Sequence, residues 1–311
     1  MMWPFDGDSG GVLALYLATL AVHAVFASYV VAGSAYALVR RDATAHAVRT
    51  RLPFMLGCAI TAGVAPLLFV QLLHQRRFYT AHLLLGPRAL AIVPALIVGF
   101  YALYLAKASD RWHRAALASA LACFMFVAWS WSELHELMQA DPEWSAFYAA
   151  GDRFYTDAQL APRLVVLAGA MATIFAAVAA WFAAERRPLA IVALAGRAVS
   201  VAGALWLWHA GFTVDGPARG WLDLLAAAAV IDSIAWLVVA WRDQPSALMV
   251  ATAAGAAALL AAVVVREAPR VALIEPAHGP SGGVIAFAIA VVLGAAAIAW
   301  VIRAIAPSRR R

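Results

Sequence analysis

Gly63-Val64-Ala65-Pro66-Leu67-Leu68-Phe69-Val70-Gln71-Leu72-Leu73-His74-Gln75-Arg76-Arg77-Phe78-Tyr79-Thr80-Ala81-His82 opens as an apolar helix carrying a proline and closes on polar side chains, with Arg88 soon after. Its first half has no charge that needs water. Its second half offers imidazoles and guanidiniums suited to an anion or a metal at a membrane surface. The pattern predicts a membrane helix that ends in a site.

The whole chain repeats the first half of that pattern. Of 311 residues, 65% are hydrophobic and 13% are charged, and the mean hydropathy is +0.82. Soluble domains carry about 25% charged residues, so a soluble body is excluded. Apolar runs of about 20 residues separated by short charged loops mark spanning helices. They lack the period-two alternation of a membrane barrel. The fold class is therefore all-α: a polytopic membrane helix bundle forming a single transmembrane domain over residues 1–311. Nine spans are expected, at 12–39, 53–75, 88–107, 113–137, 162–184, 190–212, 221–241, 246–265 and 282–304. Met1–Gly11 is acidic rather than basic, so the first apolar run is expected to be retained rather than cleaved.

Lysine and arginine set the orientation. With the N-terminus outside, the inner loops and tail hold 14 of the 23 basic residues, including Arg40, Arg41, Arg49, Arg51, Lys107, Arg111 and Arg114. Most acids fall outside, Glu133, Glu136, Asp141 and Glu143 among them. The positive-inside rule then gives N-out, C-in, in a bacterial inner (cytoplasmic) membrane. The formal charge of +6 reports this topology, and no nucleic-acid partner is expected. Cys58 and Cys123 stand alone in apolar runs, with no CxxC or CxxCH, so covalent haem and thiolate clusters are not expected.

Three further features stand apart. Arg76, Arg77 and Arg88 lie where the topology disfavours cations, which suits either headgroup snorkelling or a local anion such as haem propionates or lipid phosphate. Residues 139–161 mix acids with aromatics, as in Asp141-Pro142-Glu143-Trp144, and read as an outer interfacial segment. Ala168-Gly169-Ala170 and Ala254-Gly255-Ala256 predict close helix packing.

Histidine placement is the main chemical signal. His74, His82, His135, His209 and His278 fall at outer helix ends, and His23 lies deep in the first span. A neutral imidazole is a common axial ligand of iron. Gln71 and His74 share one helix face, and Trp131 and His135 share another. His74 and His135 are thus candidate metal ligands for b-type haem, with His23 as an alternative. Gln71, His82, Arg76, Arg77 and Arg88 are candidates to hold haem propionates or quinone oxygens. Each histidine also admits a plainer role, bonded to a headgroup or a carbonyl. Within the membrane, Arg197 and Asp232 fall at similar depth and are expected to form an ion pair or a proton relay.

The stretch Ala62 to Thr80, with Pro162-Arg163 and Arg266-Glu267-Ala268-Pro269-Arg270, resembles a family of uncharacterised bacterial multi-span membrane proteins similar to respiratory-chain subunits. Such relatives place a histidine a few residues after the Pro-Arg. Here that place is Leu164-Val165-Val166, which counts against a mid-membrane haem on His23. The resemblance implies a subunit of an electron-transfer system, acting with other membrane subunits or a periplasmic cytochrome. The alternatives are a proton- or ion-coupled transporter using Arg197 and Asp232, and a cofactor-free structural subunit. HExxH and P-loop patterns are absent from the sequence.

Overall fold

A computed structural model describes residues 7–274 together with positions 289 and 292. The ninth expected span, 282–304, and His278 fall outside the described residues. Within them the protein is helical, with eight segments long and apolar enough to cross a membrane. The helices that make up those segments are α1 (Gly7–Val39), α2 (Ala43–Leu73), α4 (Pro87–Leu90) continued by α5 (Ile92–Ala108), α6 (His113–Leu137), α8 (Leu160–Ala179), α9 (Arg187–His209), α10 (Arg219–Arg242) and α11 (Pro245–Val271). Two short helices lie between spans, α3 (Gln75–Leu85) and α7 (Trp144–Ala150). This is a multi-pass membrane protein.

Local chemistry explains where the helices start and stop. Asp42 caps α2, its Oδ1 accepting the Ala45 N–H at 2.8 Å. The second span therefore begins at Ala43 rather than at Pro53, and it runs through both Pro53 and Pro66. At His74 the backbone leaves helical geometry (φ −137°, ψ 44°) and α2 ends. What reads in sequence as a loop before Arg88 is instead α3, a second helix that buries Phe78, Ala81, Leu84 and Leu85 on one face. Gly86 then turns the chain with φ 56° and ψ −128°, a region open only to glycine, and Pro87 starts the next helix.

Four antiparallel hairpins, α1/α2, α5/α6, α8/α9 and α10/α11, build the bundle, and α1 is its axis, packed on α2, α6, α8 and α11. The end at which α1 begins is called proximal below, and the other end distal. Lipid gives little hydrophobic drive between helices, so close approach matters. Gly196 and Gly203 supply it along α9. A Cβ on Gly196 would sit 2.6 Å from the Gly169 carbonyl oxygen, and one on Gly203 would sit 2.7 Å from the Val166 nitrogen. Two apolar cores result. The distal one holds Tyr29, Leu52, Leu117, Phe175 and Trp236. The proximal one holds Leu13, Phe69, Phe78, Leu134 and Met138. Phe54, Tyr101, Ile191, Leu205 and Leu237 point outward, the arrangement expected of surfaces that meet hydrocarbon.

Candidate functional site: a buried charge cluster at the proximal helix ends

The proximal core is roofed by charge. In the last turns of α6, Glu133 and Glu136 lie three residues apart, and both are buried. Glu133, fully buried, makes a short ion pair with Arg88 of α4 and accepts the backbone N–H of Tyr155. The Arg88 guanidinium lies 4.9 Å from the Trp129 ring and 4.8 Å from the Phe154 ring, and those two rings stack on each other. Glu136 meets Arg163 Nε of α8 at 2.9 Å, and Arg163 Nη2 also donates to Gln159 Oε1 at 2.8 Å.

A second group comes from α11 and α1. Glu267 pairs with Arg266 Nη1 at 2.8 Å and more closely with Arg270, and Tyr16 of α1 faces Glu267. Glu267 and Arg270 are only 2% and 3% exposed, so neither charge is solvated by bulk water. An isolated charge there would cost several kcal/mol, roughly, before pairing. The four arginines 88, 163, 266 and 270 are matched by Glu133, Glu136, Glu267 and Asp157, the last acting on Arg163 and Glu136. Nε and Nη1 of Arg270 have no hydrogen-bond partner among the described residues.

The histidines sit around this cluster. His135, 4% exposed, donates Nδ1–H to the Trp131 carbonyl at 2.9 Å. That bond fixes its tautomer, and the buried Nε2 carries a lone pair with no partner among the described residues. His74 donates Nδ1–H to the Leu273 carbonyl at 3.3 Å, just past α11. Burial lowers the His74 pKa to about 4, and the nearby Arg270 and Arg77 charges add to that. His82 donates to the Phe78 carbonyl at 2.9 Å and lies tilted against the Phe78 ring, with burial lowering its pKa. Trp131 lies 6.0 Å from His82 and 5.7 Å from His135, so aromatic rings bridge α3 to the end of α6.

The remaining candidates fall as follows. His23 donates Nδ1–H to the Ala59 carbonyl at 2.9 Å and packs on Gly63, within the α1/α2 crossing. Gln71 accepts the Tyr79 hydroxyl at 3.3 Å. The anions that Arg77 and Arg88 meet are carboxylates of this chain: Arg77 binds Asp141 at 2.9 Å and the Met138 carbonyl at 3.2 Å. Its charge holds the Asp141 carboxyl below the usual range. Arg76 lies over the Trp144 ring at 5.6 Å. Arg197 and Asp232 form an ion pair at 2.6 Å between α9 and α10. Among the described residues no three or more His, Cys, Asp or Glu side chains gather as a metal site.

Tyr16, Arg163, Arg266, Glu267 and Arg270 join the cluster without having been singled out as ligands from sequence. One signal was present: charged residues in the first or last turn of a strongly apolar helix, as Glu133 and Glu136 are in α6 and Arg266, Glu267 and Arg270 are in α11. Compared with known proteins, the chain matches no protein-family model and no curated protein sequence.

Proposed function

We propose that the protein is an integral membrane subunit of an electron-transfer system and that its proximal cluster binds b-type haem or a quinone. One observation carries the reading. At the same proximal end, a buried imidazole (Nε2) and a buried guanidinium (Nε and Nη1) have no hydrogen-bond partner among the described residues. Nε2 of His135 suits iron ligation or acceptance of a quinol hydroxyl proton, and Arg270 suits a propionate or a quinone oxygen. His74 and His82, kept neutral by burial, are further candidate ligands. His23, engaged with Ala59, remains the alternative. Once bound, such a group supplies reversible electron transfer, and the chain's residues orient it and balance its charge. In this reading the proximal face is the outer face of a bacterial inner membrane, where a periplasmic cytochrome or another subunit docks.

Purified protein decides the matter. A reduced-minus-oxidised α-band, or a quinone recovered by solvent extraction, is expected, and His135→Ala and Arg270→Gln should each lower its occupancy at least tenfold. Folded wild-type protein that holds neither group, even when loaded with excess haem or ubiquinone, would end the proposal. The transporter reading has its own support: Asp232 is fully buried and its Oδ1 has no partner among the described residues. Proton-coupled uptake in vesicles that disappears in Asp232→Asn would favour it.

A further inference from the structure

At the distal end, the turn between α1 and α2 and the turn between α5 and α6 border an open cavity of about 410 Å³. Arg40, Arg41, Arg49 and Arg114 line it against two carboxylates, Asp42 and Asp110. Both carboxylates are already engaged. Asp42 caps α2 and binds Arg40 at 2.9 Å, while Asp110 binds Arg49 Nη2 at 2.7 Å. Arg41 and Arg114 meet no carboxylate among the described residues, so the lining's four arginines and two aspartates leave a formal surplus of two positive charges.

Of the two lining histidines, His113 donates its Nδ1–H to the Asp110 carbonyl at 2.6 Å, which leaves His46 to offer a ring N–H. His46 Nδ1 accepts from Arg49 Nη2 at 3.2 Å, so its ring proton sits on Nε2. The first residues of α6, His113 and Arg114, lie at the cavity, and no side chain among the described residues caps that helix. Its first-turn N–H groups therefore add the positive end of a 25-residue helix to the same concavity. Arginine forks, an imidazole N–H and an uncapped helix start together suit a compact group with several anionic oxygens. Ordinary loop cations that report topology need no such convergence and no cavity.

We infer that this distal cavity binds a phosphoryl oxyanion between the α1/α2 and α5/α6 turns, with Arg41 and Arg114 as its principal contacts. The cavity lies at the ends of membrane helices, so the oxyanion comes either from an anionic phospholipid headgroup or from free phosphate.

Delipidated protein separates the two sources. In one arm, cardiolipin is added back in detergent and counted by native mass spectrometry. In the other, inorganic phosphate is titrated while thermal unfolding is followed. Arg41→Gln with Arg114→Gln is expected to weaken whichever probe binds by roughly tenfold or more. Lys107→Gln with Arg111→Gln removes the same charge from outside the cavity and should leave binding within about twofold, since only contacts in the cavity count. Should the first pair not fold, the single substitutions carry the comparison, each giving part of the loss. Cardiolipin retention alone assigns the site to a lipid headgroup, and a phosphate-induced shift alone assigns it to the free ion. Equal loss in both double variants, or no binding of either probe to wild type, overturns the inference.

Discussion

His74 stays neutral in the folded protein down to about pH 4, whereas in an unfolded chain it takes up a proton near pH 6.5. The unfolded state therefore binds more protons between those values, and stability falls as pH drops through that window. From pH 7 to pH 5 this group alone should lower unfolding stability by roughly 2 kcal/mol. The slope should flatten in His74→Gln when unfolding in detergent is followed at both pH values. An unchanged slope would mean that the ring is solvated. Glu133 makes a sharper case. Glu133→Gln leaves Arg88 beside Trp129 and Phe154 without its counter-charge, at an expected cost of about 3–5 kcal/mol. The double change Glu133→Leu with Arg88→Met should recover most of that. A loss below about 1 kcal/mol in Glu133→Gln would mark the pair as effectively exposed. At this scale the sequence showed which residues were ionisable but not their partners. Arg88 reads in sequence as a cation that either snorkels to headgroups or meets a local anion, and only the fold brings Glu133 to it.

Among the helices, packing predicts opposite outcomes for two glycines. Gly203 lets the backbones of α9 and α8 approach, and an added Cβ meets the Val166 nitrogen at 2.7 Å. Gly203→Leu should therefore force the two helices apart and destabilise by about 1–3 kcal/mol or more. Gly57, inside α2, has nothing within 4 Å of an added Cβ. Gly57→Ala should be neutral or stabilising by up to about 1 kcal/mol through helix propensity. Unfolding curves of the two variants beside wild type test both. Most spans were legible because apolar length is a property of each segment alone. The α3 helix was not. Gln75, Arg76, Arg77, Thr80 and His82 make it too polar and too short to read as a span. Its helical character depends on one face, Phe78, Ala81, Leu84 and Leu85, meeting the bundle.

For the whole molecule, the charge bias predicts that the proximal end faces outward. In a background with Cys58→Ala and Cys123→Ala, Ser145→Cys at the exposed start of α7 should react with an impermeant maleimide on intact cells. Ala108→Cys, exposed at the distal end of α5, should react only after permeabilisation. The reverse pattern would invert the orientation and place the distal phosphoryl cavity on the outer side. By itself the sequence determined that this is a helical multi-pass membrane protein, because moving some 20 apolar residues out of water is a local, additive free energy. It also brought Arg197 and Asp232 to comparable depth by counting residues along two helices, and they lie 2.6 Å apart. Only the tertiary structure decided that Tyr16, Glu133, Glu136, Arg163, Glu267 and Arg270 share one buried end of the bundle. A charge in hydrocarbon is tolerated only beside its partner, and which partner it meets depends on how distant spans pack around α1.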